Sequence, residues 1–453
     1  MHKLRTSAFF LMVLAVFGWA ATPAAAQSIL RDAETEALLH DMATPLIKAA
    51  GLDPDNVDIV LVGDRSVNAF VAGGQAVYVN SGLIEEADTA AEVQGVIAHE
   101  LGHVTGGHAV LNQGARSATS ISLLSLLLGA AAAAAGGGEA AMGVIMAGQQ
   151  AAMGKYLAYN RSQEASADAA GAKYLSEAGI SGRGSVEFFK KLQNLEYRYG
   201  YRPKDGDEFY STHPLTGDRI ATLQDTYEKD PAWNKPDDPQ LQKRFVRMKA
   251  KLFGYMAEPR DVFRKYPLTD NSIPAHYARA YAYNRESKID EARAETDALV
   301  ASDPDDPYFL ELQGQILLES GHPAEAVEPL RRATRMTANQ PLIATLFGHA
   351  LMATEDPANF KEAESVLRAA VVRDRENPFA WYQLGTIYAA NGDMPRARLA
   401  SAEQQSLSGN MAAALMSAQA AEAGLPTGSP DWVRAQDIEM QARAELERRK
   451  KQR

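Results

Sequence analysis

His99-Glu100-Leu101-Gly102-His103 is the stretch on which the reading of this chain turns. On a helix, His99 and His103 stand four residues apart and face one side. Both imidazoles can then reach one Zn2+ ion, and Glu100, beside the first ligand, points toward the metal's water. Zinc lowers the pKa of that water, and a carboxylate can take its proton and pass it to a leaving amine. The helix is legible around the motif. Thr89 to Val104 keeps helical spacing, and Gly106-Gly107 ends or weakens it. The segment predicts one zinc ion per chain and hydrolysis of peptide bonds.

Two histidines leave a catalytic zinc short of the three protein ligands it needs. The chain has no cysteine, so the rest must come from His and carboxylate side chains. Asn160-Arg161-Ser162-Gln163-Glu164-Ala165-Ser166-Ala167-Asp168 supplies a pair, because Glu164 and Asp168 are i and i+4 on one helix face. Glu164 can reach the metal. Asp168 can accept the N–H of a ligating His and fix its ring. His213 precedes Pro214 in a loop, and two roles stay open for it. It could stabilise the oxyanion of the tetrahedral intermediate. It could instead bind zinc as a fourth ligand, expel the water and hold the enzyme latent. His108 comes five residues after His103 and falls off the ligand face, so it reads as a supporting or structural residue.

Upstream of the motif, Ile29 to Ala50 has helical spacing and ends at Gly51. Val57 to Val62 is β-rich. Asn68–Ala72 and Ala76–Asn80 flank Gly73-Gly74-Gln75, a hairpin pattern. An endopeptidase binds its substrate extended, usually against a strand edge, and either hairpin arm could offer it. Residues 1–26 read as a signal peptide: His2, Lys3 and Arg5, an apolar run from Ala8 to Ala21, and small residues at Ala24-Ala25-Ala26. The body is then exported, as a periplasmic protein, beginning at Gln27.

Downstream, Glu139 is the only charge between Arg116 and Lys155. Ile121–Ala135 and Ala140–Met153 read as two apolar arms around a turn at Gly136–Glu139. The hairpin over 117–154 is open to three readings: packed inside the protein, touching a membrane surface as a lid, or spanning the membrane. Helices follow over Tyr156–Ala178, Gly184–Tyr199 and Leu215–Tyr227. Pro231–Pro239 is a Pro- and Asp-rich linker, and Leu241–Met256 is a basic connecting helix.

The last third repeats itself. Gly314, Gly348 and Gly385 lie 34 and 37 residues apart, and Pro307, Pro341 and Pro378 keep those separations. Ala326, Ala363 and Ala397 fill the matching second-helix position. The extra length falls in Thr354-Glu355-Asp356-Pro357. One copy reads Trp381, Leu384, Gly385, Tyr388, Ala397, the tetratricopeptide pattern of one helix pair per repeat. Ala280 and Ala292 fit an earlier, degenerate copy. Four repeats span 273–411, and 412–453 forms capping helices with a basic, frayed end.

The whole chain has 453 residues, 46% hydrophobic and 23% charged, with a net charge of -11. That is a folded, multidomain composition, and its sign speaks against nucleic acid as a partner. The domain plan is a signal peptide at 1–26, a metallopeptidase domain at 27–230, a linker and connecting helix at 231–272, then repeats and cap. The fold class is an α+β zincin-type (gluzincin) metallopeptidase domain with a small β-sheet, followed by an all-α tetratricopeptide-repeat solenoid.

HELGH, then Asn160-Arg161-x-x-Glu164 with Ala167-Asp168, then Thr212-His213-Pro214 with Asp218-Arg219-Ile220, resembles the zinc endopeptidase family of the CAAX prenyl protease and HtpX, peptidase family M forty-eight. The resemblance covers essentially the whole mature chain, in the exported, repeat-bearing form of that family. It implies His99, His103 and Glu164 as zinc ligands and Glu100 as base. It implies a regulatory or transition-state role for His213, and Arg219 near the site. It also implies misassembled outer-membrane proteins as substrates and the outer-membrane assembly machinery as partner through the repeats. An alternative assigns the repeats the main role, as chaperone or scaffold, with the protease latent.

Overall fold

The structure is a computed structural model that describes residues 29–108, 119–128, 138–199, 213 and 217–451. The expected signal peptide, the turn at 136–137 and the residues flanking His213 lie outside that set. The chain divides into two compact units. Of the described residues, the first holds Ile29, Leu30 and Met42–Asp237, and the second holds Arg31–Asp41 and Asp238 onward. Helix α1, Ala33–Ala49, contributes to both.

In the first unit, three short strands form a sheet: β1 (Asp58–Val62), β2 (Ala69–Ala72) and β3 (Ala76–Asn80). Their order is β1-β3-β2, with β1 parallel and β2 antiparallel to β3. Gly73 and Gly74 take φ of +65° and +104°, which makes the hairpin turn between β2 and β3. The outer side of β1 is bridged by Ile29 at Val62, and Leu30 N–H donates to Leu61 O at 2.9 Å. Among the described residues, β2 pairs with β3 alone.

After α2 (Ser81–Glu86), helix α3 (Ala90–Thr105) carries the motif. Thr89 caps it by accepting from Glu92 N–H. Every residue from Ala90 to His103 is buried, so this helix is the centre of the unit rather than an amphipathic surface helix. Two of its buried polar groups have partners: Lys191 Nζ reaches Glu92 at 2.9 Å, and Gln94 Nε2 donates to Met42 O at 3.1 Å.

Helix α4 runs unbroken over Gly138–Ala178. This corrects the expectation of a separate second apolar arm ending at Met153. No proline interrupts the stretch, and an isolated glycine such as Gly143 or Gly154 costs a helix only about 1 kcal/mol. Residues 119–128 are helical too. Their Leu123, Leu124, Leu127 and Leu128, with Met142, Met146 and Met153 of α4, are exposed. Ser125 and Ala152 of the same arms are buried, so the described part of this region has one packed side and one exposed apolar side. No described helix is long and apolar enough to cross a membrane.

Helices α5 (Arg183–Tyr199) and α6 (Gly217–Glu228) complete the unit. The crossing of α3 and α4 is set by missing side chains. A Cβ on Gly102 would stand 2.6 Å from Ala167 O, and Gly171 approaches Ala98 in the same way at 3.1 Å. That closeness lays the Glu164–Asp168 face of α4 against His99 and His103.

The second unit is helical throughout its described residues. It starts with α7 (Pro239–Met256) and α8 (Pro259–Lys265). The sequence suggested a connecting helix here. The structure packs Ala250, Ala257 and Val262 of this region against Ala278 and Ala282. Four helix pairs follow: α9 (Ile273–Arg285) with α10 (Ile289–Ser302), α11 (Pro307–Glu319) with α12 (Pro323–Met336), α13 (Pro341–Ala353) with α14 (Phe360–Arg373), and α15 (Pro378–Ala390) with α16 (Met394–Leu407). Then come α17 (Met411–Glu422) and α18 (Pro430–Lys451). The repeating glycines permit the pairing. A Cβ on Gly314 would meet Leu330 Cγ at 2.4 Å, and one on Gly348 would meet Leu367 Cγ at 2.5 Å. The extra residues after α13 form a short 3-10 turn, Pro357–Asn359.

Candidate metal centre

Four buried side chains converge between α3, α4 and residue 213: His99, His103, Glu164 and His213, each offering one donor atom, all within 4.8 Å of one another. His99 Nε2 lies 3.1 Å from His103 Nε2 and 3.4 Å from Glu164 Oε2. His103 Nε2 is 3.3 Å from Glu164 Oε1. His213 Nδ1 is 3.4 Å from His99 Nε2 and 3.0 Å from Glu164 Oε1. A tetrahedron with arms of about 2.0–2.1 Å has edges of about 3.3–3.4 Å, so this donor set has the chemistry and the spacing of a zinc site.

Glu100 faces the same place. It is 1% exposed, and among the described residues neither of its buried carboxylate oxygens has a hydrogen-bond partner. The group facing it is His213, whose Nε2 is 3.6 Å from Glu100 Oε1. A buried carboxylate left without a partner is costly unless a cation or water serves it.

The surrounding groups hold the donors in place. His99 Nδ1 is 2.9 Å from Asp168 Oδ1. Burial works to lower the pKa of His99, but its bonds to Asp168 and Glu164 outweigh burial and raise it to about 9. Burial also opposes ionisation of Glu164 and Asp168. Bonds from His103, His213 and His99 hold Glu164 well below the usual carboxylate range, and Arg219 and His99 do the same for Asp168. Arg219 binds both oxygens of Asp168, at 2.5 and 2.8 Å, and reaches Glu164 Oε2 at 2.8 Å. Its guanidinium also lies 5.5 Å from the Phe189 ring, which meets His99 edge-on. His108 Nδ1 is 2.8 Å from His103 Nδ1, so the structure brings even this residue to the cluster. Phe189 and Ser166 are the neighbours that sequence reasoning passed over. Phe189 carries no motif, whereas Ser166 sits inside the quoted α4 segment. Beside the cluster, α4 and α6 wall a cleft of about 760 Å3, lined by Glu164, Asp168, Ala169, Arg219, Leu223 and Tyr227.

A buried His–Glu–His cluster on crossed helices, with an unpartnered glutamate between the two motif histidines and a small sheet beside it, defines a metallopeptidase domain. Residues 31–227 match Peptidase family M48, and residues 277–341 and 348–430 match the tetratricopeptide repeat. Residues 31–227 thus form a domain of the Peptidase family M48 type, and the chain is a zinc metalloendopeptidase with tetratricopeptide repeats after that domain. It is 25% identical over 412 residues to the beta-barrel assembly-enhancing protease of Escherichia coli (strain K12), covering 88% of this chain and 81% of that one. It is 30% identical over 182 residues to metalloprotease LoiP of the same organism, covering 39% of this chain and 64% of the relative. To the mitochondrial metalloendopeptidase OMA1 of Bos taurus it is 27% identical over 198 residues, 43% of this chain and 36% of the relative.

Proposed function

We propose that this chain cleaves misfolded or stalled client proteins in the periplasm, as quality control of outer-membrane protein assembly. His99, His103 and Glu164 hold the zinc, and Glu100 is the base. The observation that carries the site assignment is the buried, unpartnered Glu100 carboxylate beside the converged donors. Zinc held there would supply an acidified water and a Lewis acid for the scissile carbonyl. Glu100 takes the water's proton and delivers it to the leaving amine. Asp168 accepts from His99 Nδ1–H and so keeps His99 Nε2 free for the metal. Arg219 fixes the Glu164 and Asp168 carboxylates of α4. The edge of β2 that pairs with no strand among the described residues takes the substrate backbone as an added strand, which suits unfolded chains of varied sequence. The relationship to a beta-barrel assembly-enhancing protease supports the outer-membrane role, and the basic, apolar, small-residue pattern of residues 1–26 supports export. The repeats recruit clients or the assembly machinery. The exposed apolar residues of 119–128 and the first half of α4 give the domain a face suited to the membrane surface. Cross-linking clients in cells to a Glu100→Gln variant tests this. Enrichment of outer-membrane proteins is expected, and enrichment of none would overturn the assigned role.

One observation favours a second, compatible reading. His213 Nδ1 stands among the donor atoms, at the position of a fourth ligand. A site closed by His213 is latent, which leaves the repeats to act as a scaffold until it opens. His213→Ala then gains cleavage; loss of cleavage would assign His213 to the transition state instead.

A further inference from the structure

We propose that His108 and Ser166 form a tautomer lock on the ligand His103. The inference rests on reading His103 as a zinc ligand through Nε2.

The chain beyond α3 is built to return His108 to the motif. Gly107 has φ +64°, Gly107 N–H donates to Val104 O, and His108 N–H donates to His103 O at 3.1 Å, the closing pattern of a helix end. The returned ring lies where a side chain on residue 106 would be. A Cβ on Gly106 would stand 2.4 Å from His108 Nε2. The two glycines therefore serve different ends: Gly107 reverses the chain and Gly106 makes room for the imidazole.

The proton positions then follow from one fixed acceptor. Ser166 Oγ is 2.9 Å from Gln163 O and 3.2 Å from His108 Nε2. A carbonyl only accepts, so the Ser166 hydroxyl gives its hydrogen to Gln163 and offers a lone pair to His108. His108 Nε2 must then carry a hydrogen. In the neutral ring, Nδ1 is bare and accepts from His103 Nδ1–H across 2.8 Å. That leaves His103 Nε2 bare, and Nε2 is the atom that faces Glu164 and His99. The opposite polarity would put the proton of His103 on its metal-facing atom. The chain of bonds ends on the backbone of α4 one residue before Glu164, so the tautomer of one ligand is set by the helix that carries another. His99 has a carboxylate in this office, whereas His103 has a neutral imidazole. His108 and Ser166 are positioning residues and touch neither substrate nor metal.

The test is zinc affinity of the full chain at fixed pH, by competition with a chelator, together with 15N NMR of the zinc-loaded imidazoles. His108→Phe keeps a ring in place without an acceptor and should weaken zinc by roughly 10–100-fold. His108→Asn restores an acceptor and should recover most of that loss. Ser166→Ala, on an exposed residue, should give a smaller loss in the same direction, and it remains informative if His108→Phe does not fold. NMR should place the His103 proton on Nδ1. Wild-type affinity in both His108→Phe and Ser166→Ala, or a His103 proton on Nε2, would overturn the lock. Wild-type affinity in His103→Ala would instead overturn the ligand reading beneath it.

Discussion

The two units each bury a cluster of charge, and they resolve it in opposite ways. In the second unit, Lys251 meets Asp32 at 2.5 Å and Glu34 at 3.3 Å. Arg247 bridges Glu34 and Asp306, each at 2.5 Å, and Tyr277 OH donates to Glu34 at 2.8 Å. Every one of those carboxylates has a protein cation. In the first unit, Arg219 is the cation among Glu100, Glu164 and Asp168, and it hydrogen-bonds only the last two. The remaining carboxylate faces the His213 imidazole, a metal donor as readily as a base. Buried charge that pairs within the protein is architecture. Buried charge left for a cation from outside is a site.

The sharpest way to break that contrast is to remove a cation-seeking donor. His99→Ala or Glu164→Ala should abolish the tight zinc site, read as zinc per chain after dialysis, and with it all cleavage. The second unit should keep its fold in these variants. Glu34→Gln makes the converse test. It leaves Lys251 and Arg247 short of a partner and should destabilise the second unit by about 3–5 kcal/mol in urea unfolding, with zinc content unchanged. Asp168→Ala removes a support rather than a ligand, so zinc should bind about 10–100-fold more weakly while the fold persists. Gly348→Ala drives a methyl into Leu367 and should cost about 1–3 kcal/mol, again without touching zinc.

A further effect concerns pH. Glu311 has a carboxylate oxygen buried without a partner, and burial, with Asp32 and Glu34 nearby, raises its pKa to about 8 against the pull of Lys251. The unfolded chain loses this proton near 4.5. The contribution of Glu311 is therefore complete below pH 4.5 and is lost as pH rises through 8. Over that window Glu311→Gln should flatten the fall in stability by up to about 1.4 kcal/mol per pH unit.

Much of this was legible in the sequence because its causes are local. The α3 motif announces its candidate donors by helical spacing, and Glu164 and Asp168 announce their shared face by theirs. The repeats declare themselves through glycines that a neighbouring leucine needs absent. What stayed hidden has causes that are distant or cooperative. Asp32 and Glu34 find Lys251 and Arg247 more than 200 residues later, and no local pattern records that pairing. Phe189 lies under His99 and Arg219 only because α5 packs there. The continuity of α4 is hard to read from sequence because its glycines and small residues resemble a boundary yet cost a packed helix little. His108 looked misplaced on an ideal helix. It reaches His103 because the helix ends at Gly106 and the chain reverses at Gly107.

The central claim is that the donor cluster beside Glu100 in the first unit is the hydrolytic zinc site. Zinc titrated into the chelator-stripped chain, with cleavage of an unfolded protein followed at each addition, tests it most directly. Activity should return in proportion and saturate at one zinc per chain, while Glu100→Gln takes up the same zinc and cleaves nothing. Cleavage that survives stripping, or that returns in Glu100→Gln, would contradict the account.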